Sequence, residues 1–256
     1  MNRRTFLDGI IKTAIVSTTS TIIADKEYCN RKEKTVLQTD MDDICATFPL
    51  KIPGAKRIEK IVTERSEYCI IHIKTAHPSD DKYMVQRYGN GTVAEFVTRV
   101  QKNVLKIGTF ICQKYSLENL YAEGVTLDSE QVLNDAFRNN DLEIILQALE
   151  QMGEIARIGF LGIHIRAAES EKLNEIAISA VNETGPKKRK EYTEDQQKKI
   201  FDDREKEAFK RMMQEKDPLK LIAYGGEHTF RYEIEKWNTY HNQKISLIEI
   251  TPSEDK

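Results

Sequence analysis

Hydrophobic and polar positions along this chain follow two rhythms. From Glu67 to His77, Cys69, Ile71 and Ile73 alternate with Ile70, His72 and Lys74, the pattern of a buried strand running out into a loop. Pro78-Ser79-Asp80-Asp81 and Gly89-Asn90-Gly91 then punctuate the chain as loops. From about Val93 to Tyr115 the spacing changes to three- and four-residue steps. Phe96, Val97, Val100, Val104, Ile107 and Ile111 predict a long amphipathic helix, with Gln101 on the flank of its apolar stripe. Asn119 to Thr126 reads as a second strand that reaches Glu123-Gly124 near its end. Strand, loop, helix and strand in this order form a βαβ unit, whose two strands lie parallel in one sheet.

The remainder continues the alternation of elements. Asp128 with Gln131 predicts a capping box opening helices through about Met152, broken at Asn139-Asn140-Asp141. The apolar run Gly159 to Ser170 reads as strand-like and ends at Ala167-Ala168-Glu169. Thr193 with Gln196 predicts a second capping box, for a charged helix to about Gln214. Its narrow stripe of Ile200, Phe201, Ala208, Phe209 and Met212 reads as core-facing, with a partner surface as the alternative. Strand Leu219–Tyr224, the turn Gly225-Gly226-Glu227-His228, helix Phe230–Tyr240 and strand Ile245–Ile250 complete the series. The expected fold is α/β, a central and mainly parallel sheet flanked by helices, with the charged helix inserted or appended.

The N-terminus departs from this pattern. Arg3-Arg4 before Phe6-Leu7 and a weakly apolar stretch resembles a twin-arginine export signal spanning 1–24, with Ile22 and Ala24 suiting cleavage. The expected destination is outside the cytoplasm, in the periplasm or beyond. Residues 25–55 are polar and read as a poorly ordered lead-in, followed by one α/β catalytic-type domain over 56–256. No apolar run is long enough for a stable membrane span. The formal net charge of -2 gives no general attraction to nucleic acid. The basic knot Lys187-Lys188-Arg189-Lys190 is offset by the acid-rich stretch that follows it. Cys29, Cys45, Cys69 and Cys112 contain no CxxC pair. Cys69 and Cys112 read as buried thiols, and an exported protein can join Cys29 to Cys45.

Four of these runs end in a residue able to do chemistry: His77, Glu123, Glu169 and His228. Sites in open parallel sheets gather at the carboxyl edge of the strands, so residues distant in sequence converge there. Two imidazoles and two carboxylates can share general acid and base work or bind a divalent metal. Gly124, Gly225, Gly226 and Gln101 join them as ligand-binding candidates, the glycines because they let backbone approach a ligand closely. His72 and His164 read as core histidines and His241 as an exposed helix end.

Taken in order, "IIHIKTAHP", "VQKNVLKIGTFICQKY", "LYAEGVT", "RAAES", "YGGEHTFRYEIEKWN" and "SLIEITP" resemble the superfamily of erythromycin esterases, haem-binding ChaN lipoproteins, TraB/GumN proteins and Tiki metalloproteases. The resemblance spans about residues 60–252. It implies an EreA/ChaN-like fold with His77 after the first strand and Glu123 after the second. Glu169 would be the later acidic residue, and Gly225-Gly226-Glu227-His228 the C-terminal Gly-x-x-His. The sequence departs from the family in placing Lys74-Thr75-Ala76 before His77, where many members are acidic. The implied activity is hydrolysis of a small-molecule or peptide substrate, with water set between His77 and Glu123, His228 orienting it or steadying the oxyanion, and Glu169 holding an imidazole tautomer. Mn²⁺ or Zn²⁺ assistance is an option. The alternatives are a haem- or ligand-binding protein, with Tyr83, Tyr88 or Tyr224 available to haem, and an inactive member kept for interaction through the charged helix.

Overall fold

The computed structural model describes residues 41–76, 90–181, 193–226 and 228–254. The chain divides between Gln38 and Thr39, and every described residue belongs to the second unit. The export-type segment, Cys29, His77, Tyr83, Tyr88, the basic knot at 187–190 and Glu227 lie outside the described residues.

Six strands form one sheet, in the order β1-β6-β2-β5-β3-β4. They are β1 (Ala55–Ile61), β2 (Ser66–Thr75), β3 (Asn119–Thr126), β4 (His164–Glu169), β5 (Leu219–Gly225) and β6 (Lys244–Pro252). Only β1 runs antiparallel, against β6; the other pairings are parallel. The helices are α1 (Met41–Thr47), α2 (Asn90–Tyr115), α3 (Leu127–Asn139), α4 (Leu142–Met152), α5 (Glu171–Val181), α6 (Glu194–Gln214) and α7 (Arg231–Tyr240), with a 3-10 segment at Gly153–Leu161. The fold is therefore α/β, with a mixed but mostly parallel sheet flanked by helices.

Period-two alternation divides the strands between two cores. Ile71 and Ile73 of β2, Leu221 and Ala223 of β5 and Ile248 and Ile250 of β6 face one layer, which includes Val104, Ile107 and Ile111 of α2. Ile70, Ile222, Tyr224 and Leu247 face the other, where Ala208, Phe209 and Met212 of α6 and Ile234 of α7 cover them. The charged helix is thus an integral cover of the sheet, and these three stripe residues are core. Asn238 of α7 accepts from Ile245 N–H at 2.8 Å and donates to its carbonyl at 2.9 Å, tying that helix to β6.

Several expectations change. The described part of the lead-in, 41–55, is folded: α1 forms there and Met41, Cys45, Phe48 and Ile52 are buried. Its polar residues are the outward face of a short helix that buries Met41 and Cys45 and packs Ile44 against the core. β1, "AKRIEKI", is a strand that its charges concealed; an edge strand is commonly guarded by such charges. The cap of α3 is Thr126 with Ser129, not Asp128 with Gln131, because β3 passes directly into the helix. His164, expected in the core, is exposed at the start of the edge strand β4. Cys45 is a fully buried free thiol.

The outer edge of β4 is closed by side chains of α3. Asn134 accepts from Ile165 N–H at 3.0 Å and donates to its carbonyl at 2.7 Å, while Glu130 accepts from Ala167 N–H at 2.7 Å. Asn134→Ala would leave both polar groups of Ile165 unpaired and buried. A loss of about 2 kcal/mol is expected, read as a lower urea midpoint at unchanged slope.

Candidate functional site

The carboxyl ends of β3, β4 and β5 meet on the α6 side of the sheet. β3 carries an irregularity there: Ala122 pairs with Ala167 and Thr126 with Glu169, so four residues of β3 span two of β4. Such bulges re-aim side chains at strand ends. The extra residues include Glu123 and Gly124, and Gly124 adopts φ +78°, a left-handed conformation that favours glycine. The distortion brings Glu123 and Glu169 onto one cation, Arg204 of α6.

Arg204 Nη2 donates to Glu123 Oε1 at 2.7 Å and to Glu169 Oε1 at 2.6 Å, and its Nε lies 3.3 Å from Glu169 Oε2. Tyr224 donates its hydroxyl to Glu169 Oε1 at 2.7 Å. Gly124 N–H reaches the same oxygen at 3.4 Å. Glu169 is completely buried, so charge-assisted bonds replace the water it has lost. Burial opposes the charge on Arg204, but the Glu169 and Glu123 carboxylates outweigh it and raise the pKa, so the guanidinium stays charged. Burial, reinforced by the Glu169 charge, pushes the Tyr224 phenol well above its ordinary range, so it remains a neutral donor.

The turn after β5 adds the second half of the cluster. Gly225 N–H donates to Glu123 Oε2 at 2.6 Å, and Gly226 N–H to the Thr75 carbonyl at 2.8 Å. A Cβ on Gly225 would lie 3.1 Å from Glu123 Oε2 and 3.2 Å from His228 Cδ2, so a side chain there would press on both the carboxylate and the imidazole. His228 Nδ1 stands 3.0 Å from Glu205 Oε1, which also accepts Thr229 N–H at 3.0 Å. A carboxylate oxygen can only accept, so Nδ1 carries the hydrogen of that bond. His228 Nε2 is buried and has no hydrogen-bond partner among the described residues. Phe201 and Tyr224 flank the ring, each with its centroid 4.7 Å away.

Of the residues singled out from sequence, Glu123, Gly124, Glu169, Gly225, Gly226 and His228 come together. His77 falls outside the described residues. Gln101 stands apart, buried beneath Gly153 and donating to the Ala76 carbonyl at 2.5 Å, so it steadies the end of β2. The expected partnership of Glu169 with an imidazole is replaced: Glu205 holds His228, and Glu169 is committed to Arg204 and Tyr224. The amides of Gly225 and Gly226 are taken up by protein acceptors. Arg204 and Glu205 were not singled out from the sequence. Their signal was a gap in a stripe, since between Phe201 and Ala208 the inward helical step falls on two charged residues.

Two cofactor expectations meet this geometry. Among the described residues, no group of three His, Cys, Asp or Glu is placed to hold a metal ion. Glu123 and Glu169 do not fit one as arranged, because the Arg204 guanidinium already bridges them. Tyr224 is fully buried and its hydroxyl is given to Glu169, so it does not fit an axial haem ligand. No described helix is long and apolar enough to cross a membrane.

No family model matches the chain, and no curated protein matches it. Among solved structures, the type III effector HopBA1 is similar at 8% identity and a TM-score of 0.29, over 61% of this chain. The chain spans 65% of that effector's length, and a TM-score this low carries no argument about fold or function.

Proposed function

We propose that this chain is an exported, hydrolase-like protein of the erythromycin esterase, ChaN, TraB/GumN and Tiki superfamily, with an EreA/ChaN-like fold. The observation that carries the hydrolytic reading is the Glu205–His228 pair. A carboxylate on Nδ1 fixes the tautomer and leaves Nε2 to take a proton. His228 is the base that activates water, Glu205 its orienting carboxylate, and Arg204 the fixed positive charge toward which an oxyanion develops. Glu123 and Glu169 set Arg204 in place, and Tyr224 sets Glu169. The side chains of Glu123, Arg204 and Glu205 retain 12%, 11% and 15% exposure, so the cluster opens to solvent along one side. The resemblance in motif order across 60–252 and the Arg3-Arg4 segment support the family and the export.

The test is a panel of activated esters and amides on the purified full chain. His228→Gln is expected to lower turnover about 10²-fold or more with the fold intact by circular dichroism. Turnover unchanged in a folded His228→Gln protein would sink the assignment.

A further inference from the structure

The carboxyl end of β3 also borders a cleft on the opposite side from Arg204. Gly124 and Val125 line it together with residues of α3 and α4; it is half open to solvent and offers about 170 Å³. Its walls are mainly apolar: Val132 and Leu133 from α3, Ile144, Ala148 and Met152 from α4. Ser129 also lines it, but its hydroxyl is spent on the Thr126 cap. Gln147, exposed, stands at the rim.

Among the lining residues Val132 is 51% exposed, so the cleft is entered past an apolar side chain on one wall. Apolar walls of this kind are poorly solvated, and that is the environment in which an apolar ligand gains most. A cavity of ~150 Å³ takes up benzene, so this one has room for about six carbons. Gly124 joins the cleft to the polar cluster. Its N–H faces Glu169, and a Cβ built on it would meet nothing within 4 Å. The edge of the sheet is therefore clear at the residue that follows Glu123.

We infer that the cleft between α3 and α4 binds an unbranched alkyl or acyl chain of about six carbons, as the tail of a substrate whose polar end crosses Gly124 to the Arg204 and His228 site. The tail site stands on the cleft alone; its link to a reacting bond rests on the hydrolase proposal. A short acyl ester or amide satisfies both ends.

The experiment titrates the full chain with 1-butanol, 1-hexanol and 1-octanol, following the amide signals of Gly124 and Val132 by NMR. Each added methylene up to about six is expected to tighten binding about fourfold, with little gain beyond. Gln147→Trp fills the rim from an exposed position and is expected to weaken 1-hexanol at least tenfold, as is Val132→Glu, which brings a charge to it. No shift with 1-hexanol, or equal affinity in both folded variants, overturns the inference. So does a dimer that Val132→Glu dissociates while no alcohol binds, since the face then belongs to a second copy. Alcohol binding without ester or amide turnover in the panel would remove the hydrolase reading and leave the tail site standing.

Discussion

Arg204→Met is expected to destabilise the protein by about 3–5 kcal/mol, the usual cost of removing one partner from a buried ion pair. Arg204 is 9% exposed, and it bonds both Glu123 and Glu169, the latter with no exposure at all. Without the guanidinium, Glu169 keeps only the Tyr224 hydroxyl and a long contact from Gly124. An uncompensated carboxylate in that position must ionise at a cost or take up a proton. Adding Glu169→Gln to Arg204→Met should recover part of the loss, because it removes the orphaned charge. Urea unfolding of the two single variants and the double variant at pH 7 gives the coupling directly. Additive losses would mean that the triad is held together by the surrounding packing rather than by its charges.

This triad also shows what could be read from sequence. Period-two runs announced the strand ends, so Glu123, Glu169 and the Gly225–His228 turn could be grouped without a structure. Each lies at the end of an element whose apolar pattern is strong. Arg204 and Glu205 lie in a helix where more than half the residues are charged, so the step of the apolar stripe that falls on them is masked by its neighbours. The sheet gives that gap its meaning, by supplying the carboxylates and imidazole that those two residues meet. β1 stayed hidden for a related reason: Lys56, Arg57, Glu59 and Lys60 dilute its apolar signal, and its partner β6 lies nearly two hundred residues away. The shift of the α3 cap to Thr126 follows from a strand entering a helix without a loop, which composition does not encode.

A second buried carboxylate governs the expected acid response. Glu249 of β6 is 2% exposed and accepts from Arg231 Nε at 2.6 Å and from Thr229 Oγ1 at 3.1 Å, with Lys74 Nζ at 3.6 Å. Burial would raise its pKa, but the neighbouring His72, the hydrogen bonds from Arg231 and the charges of Lys74 and Arg231 outweigh it and hold the group at about 2. The unfolded chain protonates near the ordinary 4.5, so between these values the unfolded state binds more protons. Stability is then fully present above about pH 4.5 and falls as the pH drops toward 2, by about 3 kcal/mol at about 1.4 kcal/mol per pH unit. His72 adds an earlier step of the same sign. Burial lowers its pKa below the ordinary 6.5, so its contribution is present above that value and is lost as the pH falls through it. His72 Nε2 lies 3.3 Å from the Tyr224 carbonyl, and Tyr224 in turn holds Glu169, so acid loosening at Glu249 reaches the candidate site through β5. Glu249→Gln should be less stable at pH 7 yet lose about 3 kcal/mol less between pH 5 and 2, measured by urea unfolding across that range. An acid limb identical to the parent's would assign the sensitivity to other carboxylates, with Glu169 and its Arg204 partner the next pair to vary.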